Sequence, residues 1–126
     1  MGGTVEERIT TILHRGKEIL SVDYSDLGAK EVVELTHQLP AALEMITEVR
    51  ILVDGTNSQG SLESMAAFKD LFEELGQSDV PKSSMKAAGL GASGLGKILF
   101  DGLVRLSPIP IRLFATKEEA LNWLAE

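Results

Sequence analysis

Residues 89–94, Gly89-Leu90-Gly91-Ala92-Ser93-Gly94, spell G-x-G-x-x-G, the pattern that lays a dinucleotide pyrophosphate against bare backbone at the start of a helix. That chemistry needs the turn on the first strand of a βαβ unit, with an acidic residue about 20 positions on at the end of the next strand. Here the pattern falls late in the chain, and the acidic residue nearest that distance, Glu118, belongs to the first turn of a helix. Residues 91–97 also satisfy G-x-x-x-x-G-K, yet Ile98 stands where Ser or Thr must hold magnesium. Close packing of a strand on a helix therefore accounts for the glycines better than nucleotide hydrolysis does. What survives is weaker: backbone donors at a helix start, with Lys97 close by, can hold an anion without turnover.

Other catalytic combinations lack a member. With no cysteine, thiolate catalysis, disulfides and Cys-ligated metal are excluded. His14 and His37 have no spacing that suggests a metal pair, and Ser93 lies outside the G-x-S-x-G frame of a hydrolase elbow. Glu63, Asp70, Glu73 and Glu74 read as a solvated helix face, and Trp123 as packing. The expectation is a non-enzymatic protein without catalytic residues, metal or cofactor, a weak nucleotide-binding enzyme being the third choice.

A chain of 126 residues makes one domain with one core, read here as residues 9–126 behind a flexible tail of residues 1–8. The net charge of −7 argues against nucleic acid or an anionic membrane as partner, since both need basic patches. No apolar run approaches the length of a membrane span, and the polar start MGGTVEER shows no signal-peptide core, so the default address is cytoplasmic.

The elements that must position these residues follow from periodicity. Residues 9–14 alternate, Arg15-Gly16-Lys17 turns, and residues 19–24 are extended again, which predicts a β-hairpin. Ser25-Asp26-Leu27-Gly28 offers capping side chains to a helix whose apolar positions are Val32, Leu35, Leu39, Leu43 and Ile46, with Pro40 predicting a kink or two abutting helices. Residues 50–53 form a strand leading into the polar loop of residues 54–61, followed by a helix over 62–75 that Gly76 should stop. Residues 85–90 form a strand, the apolar spacing of Leu95, Ile98, Leu99, Leu103 and Leu106 a helix, and residues 109–114 a strand in which Pro110 confines that part to an edge or to the strand's first residues. Thr116 and Glu119 make a capping box for the last helix. Alternation of this kind implies right-handed crossovers and a mostly parallel sheet of about five strands, covered on both faces.

If the strands over 19–24, 50–54 and 85–90 run parallel, Tyr24-Ser25-Asp26, the loop Asp54 to Ser61 and the turn Gly91 to Gly94 leave the sheet at one edge, where open α/β sheets bind ligands. The candidate ligand-binding set is Tyr24, Asp54, Thr56, Asn57, Ser58, Ser61, Gly91, Ser93, Gly94 and Lys97. The competing reading is that these residues only cap helices.

With the order complete, the chain resembles the STAS, or SpoIIAA-like, superfamily, in particular its stand-alone bacterial branch. The resemblance rests on residues 15–25 (RGKEILSVDYS), the LVDGT run of residues 52–56, K-x-A-x-L-G-x-S-G-L over residues 86–95, and FATKEEALNWL over residues 114–124. It implies a SpoIIAA-like β-α superhelix and a role in binding or regulation, through a protein partner or a small anionic ligand at the loops after the central strands. Anti-sigma-factor antagonists of this superfamily carry a phosphorylatable serine in an Asp-Ser-Ser-Gly-Leu loop. The corresponding residues are Asn57-Ser58-Gln59-Gly60-Ser61-Leu62, which depart from that loop and leave Ser58 as the phosphosite candidate. The fold also resembles CRAL-TRIO lipid-binding domains, so a carrier of lipid or another apolar ligand is the alternative, and a homodimer is compatible with either.

Overall fold

The computed structural model of the chain describes residues 8–44, 48–58, 61–78, 84–91 and 94–126. Strands β1 (Ile9–His14), β2 (Lys17–Asp23), β3 (Val49–Asp54), β4 (Met85–Leu90) and β5 (Ile111–Phe114) form one sheet in sequential order. β1 pairs antiparallel with β2, and all other neighbours are parallel. The hairpin closes through Arg15 and Gly16, with φ of 52° and 79°, the pair of left-handed residues that suits the twist of a two-residue turn. The helices are α1 (Ala29–Thr36), α2 (Leu39–Leu43), α3 (Leu62–Gly76), α4 (Gly94–Leu106) and α5 (Lys117–Ala125).

Parallel strands in sequential order, joined by right-handed crossovers, put every connecting helix on one face. Accordingly Val32, Leu35, Leu39, Leu43, Phe68, Phe72 and Leu103 of α1 to α4 share a core with Val22, Ile51, Val53, Met85 and Ile111 of the sheet. The opposite face is left to α5, whose Ala120, Leu121 and Leu124 pack on Ile19, Leu52, Ala88 and Leu90. A nine-residue helix is about 14 Å long, whereas five strands span about 19 Å, so α5 leaves part of its face open.

Of the two outcomes expected at Pro40, the structure has abutting helices: Pro40 lies in the first turn of the short α2, where its missing N–H costs nothing, so the periodic run splits in two. Several other local expectations change. The N-cap of α1 is Gly28 with no side-chain cap, because Ser25 donates back to Asp23 within its own turn and Asp26 accepts from Asn57 across the strand exits. Gly76 is the last residue of α3, and Gln77 behind it is right-handed, so glycine is not there for a left-handed stop. A Cβ at Gly76 would lie 2.7 Å from Pro108, and close passage of two chain segments is the reason for it. The strand expected over 109–114 begins at Ile111, after Pro110 has given its carbonyl to Ala87 N–H at 3.0 Å. Arg8, expected in the tail, donates to the carbonyls of Asp23 and Ser25 at 3.0 Å each; residues 1–7 lie outside the described residues.

Candidate functional site

The C-terminal ends of β2 and β3 finish in two turns of the same construction. Asp23-Tyr24-Ser25-Asp26 and Asp54-Gly55-Thr56-Asn57 share the pattern D-x-[ST]-[DN]. In each, the aspartate Oδ1 accepts from the backbone N–H and the hydroxyl two residues on: 2.9 and 2.5 Å from Ser25, 3.0 and 2.6 Å from Thr56. Asp26 and Asn57 are left-handed (φ 63° and 57°), as side chains of this type tolerate best after glycine. Each turn closes through an i to i+3 bond, Leu27 N–H to Tyr24 O and Ser58 N–H to Gly55 O. The β-register makes Asp23 and Asp54 direct neighbours on the α5 face.

The turns are then stitched sideways. Tyr24 N–H donates to Asp54 O at 2.8 Å, Asp26 N–H to Thr56 O at 3.1 Å, and Gly55 N–H to Leu90 O at 2.8 Å. Asn57 Nδ2 donates to Asp26 Oδ1 at 2.7 Å. Gly91 follows with φ 73°, and a Cβ there would strike Thr56, whose Cα and N are both 2.7 Å away. Only glycine lets the β4 exit lie this close to the β3 exit.

Of the residues singled out from sequence, Asp54, Thr56, Asn57, Ser58 and Gly91 are brought together at this edge. Ser58 is half-buried and donates to Gly55 O at 2.8 Å. Ser61 stands behind it as the N-cap of α3, in a reciprocal capping box with Ser64. Gly94 opens α4, Lys97 is exposed on it, and Ser93 lies outside the described residues. Tyr24 departs from the group: its ring is in the core, edge-on to Phe68, and its hydroxyl shares a 2.8 Å bond with Thr36 Oγ1. Burial pushes its phenol well above the ordinary range, against a smaller lowering by Thr36.

Beside the edge, on the open part of the α5 face, lies a cavity of about 340 Å³. Its lining is mixed: Asp23 and Asp54 with Arg8 and with Lys117 from the first turn of α5, and the apolar Ile12, Leu52 and Leu90. Asp26 was expected at this edge, whereas Arg8, Asp23 and Lys117 were not among the residues expected to act. The repeated D-x-[ST]-[DN] at two strand ends was the available signal for Asp23; Arg8 and Lys117 join only through tertiary structure. Among the described residues no group of three or more His, Asp or Glu could hold a metal ion, and no helix is long and apolar enough to cross a membrane.

A family model described as SpoIIAA-like matches residues 19–125. Among solved structures, the chain is similar to an uncharacterized protein of the DUF3478 family with a SpoIIAA-like fold from Shewanella loihica PV-4. The two are 22% identical, with a TM-score of 0.64 over 92% of this chain and 91% of that one. No curated protein matches the sequence.

Proposed function

Because the chain belongs to the SpoIIAA-like family, we propose that it is a STAS-type binding and regulatory domain, working by association with a protein partner rather than by chemistry. The partner docks on the C-terminal edge of the sheet. One observation carries this reading: the rigid exits of β2, β3 and β4 are flanked by large apolar side chains left in solvent at the start of the following helices. Leu62, the first residue of α3, is 78% exposed, and Ile98, early in α4, is 68% exposed. Their helices are neighbours, with Met65 Cε 3.4 Å from where a Cβ on Gly102 would lie. Exposed aliphatics beside fixed polar groups suit a protein surface, which supplies both an apolar cover and hydrogen-bond partners. Asn57, exposed and bonded to Asp26, supplies the polar centre.

A photo-crosslinking residue placed in cells at Asn57 or Leu62, and at Glu74 on the far end of α3 as control, tests the proposal. One discrete adduct from the first two positions, lost when Ile98→Asp is added, is the expected result. Equal crosslinking from Glu74, or none from Asn57 and Leu62, overturns it.

A further inference from the structure

We propose that the cavity beside α5 binds a small zwitterion, a free α-amino acid with an aliphatic side chain. Its lining carries charge of both signs, Asp23 and Asp54 together with Arg8 and Lys117. Asp23 and Asp54 are register partners on adjacent strands, about 4.8 Å apart in the pairing direction. Each uses Oδ1 for its own turn, and among the described residues the second oxygen of each accepts no hydrogen bond. The turns fix both carboxylates before any ligand arrives. An ammonium group, with three donors on one nitrogen, can bridge two such oxygens.

Lys117 opens α5, and among the described residues neither it nor Asp54 has an ion-pair partner. A ligand carboxylate at Lys117 meets its ammonium, and the helix dipole adds to that attraction less what Glu118 and Glu119 of the same turn offset. Arg8 lines the cavity, but it already donates to the Asp23 and Ser25 carbonyls and lies 3.9 Å from Asp23 Oδ1, so its charge offsets part of the acidic wall. Beside the charged groups and the hydroxyls of Thr10 and Ser21, the lining includes Ile12, Leu52 and Leu90, which offer aliphatic surface to a side chain. The volume of about 340 Å³ is at the small end of the range for ligand pockets, about 300–1,000 Å³.

Other ligand classes fit less well. A free anion would face two carboxylates, a lipid tail would face charge of both signs, and a metal ion would find two carboxylates without a third ligand among the described residues. The cavity and the partner edge share the Asp23 and Asp54 turns but differ in their other groups: Leu52 and Lys117 belong to the α5 side, Leu62 and Ile98 to α3 and α4 of the opposite side.

Titration with L-leucine, followed through backbone amide shifts, is the test. Shifts are expected at Leu52, Asp54 and Lys117, with a dissociation constant in the millimolar range or tighter. Leucinol, which lacks the carboxylate, and 4-methylvalerate, which lacks the amine, should each bind at least 10-fold more weakly. Asp54→Asn keeps an oxygen for Thr56 while removing the charge, and Lys117→Ala changes an exposed side chain; each should weaken leucine at least 10-fold. No shift with leucine, equal binding of either analogue, or equal shifts with inorganic phosphate would overturn the assignment. Unchanged crosslinking from Leu62 under any of these outcomes leaves the partner edge standing.

Discussion

The two faces of the sheet are built on different principles. The face under α1 to α4 is a continuous apolar core, with Leu35, Leu39, Phe72, Ile51 and Met85 all nearly inaccessible. The face under α5 has a smaller apolar cluster ringed by charge, because Arg50 and Lys86 rise from it as well as Asp23 and Asp54. These two cations do structural work at the helix end: Arg50 Nε donates to Leu124 O at 2.8 Å, and Lys86 Nζ to Trp123 O at 3.1 Å while lying 5.1 Å from the Trp123 ring centroid. Basic groups at a helix C-terminus satisfy its free carbonyls and its dipole. The contrast teaches that the stable face holds the fold, while the face covered by one short helix has room for a cavity.

The comparison breaks most sharply at Phe72. Truncating it to alanine should cost about 3–5 kcal/mol of global stability, read by denaturant unfolding, because it leaves a hole in the larger core. A loss below about 1 kcal/mol would mean the two faces are not unequal in this way.

Gly91→Val acts on the seam between the β3 and β4 exits. Left-handed backbone and collision with Thr56 should together cost about 3 kcal/mol, seen as a lowered denaturant midpoint. An unchanged midpoint would show that the close approach of the two exits is dispensable.

Lys86→Ala tests the lesser face. It removes a carbonyl donor and the contact with Trp123 and should cost about 1–2 kcal/mol. Hydrogen exchange should quicken in α5 amides while those of α3 stay protected, since α5 can open locally. Uniform acceleration across both helices would contradict two separable layers.

The smallest effect is at Tyr24, the one tyrosine in the chain. Tyr24→Phe loses the bond to Thr36, whose hydroxyl keeps Val32 O at 2.8 Å, so about 1 kcal/mol is expected at neutral pH. The pH dependence carries more information. The unfolded phenol ionises near pH 10 and the buried one stays neutral to higher pH, so the unfolded state binds fewer protons there. Stability therefore falls as pH rises above about 10, by up to about 1.4 kcal/mol per unit from this group, and the phenylalanine variant escapes that term. Parallel pH profiles for the two proteins would show that the ring is not buried in solution.

Sequence by itself determined the order of elements, because alternation, three-to-four spacing and proline act over a few neighbours. The hairpin at Arg15-Gly16, the break at Pro40, the N-terminus of α5 at Thr116 and the parallel strands that bring Asp54 and Gly91 to one edge all follow from local patterns. Glycine was legible as a need for backbone freedom or closeness, but its reason was not. Gly76 is explained by Pro108, and Gly91 by Thr56, both distant in sequence. Tyr24 was legible as a residue at a strand end, yet its direction depends on which face β2 turns to the core, and the register puts it against Phe68 and Thr36. Arg8 and Lys117 meet the two aspartates only after the hairpin has paired and α5 has folded back over the sheet. Local preference is a property of neighbouring residues, whereas a cavity is what packed elements leave uncovered, and that is decided by tertiary structure.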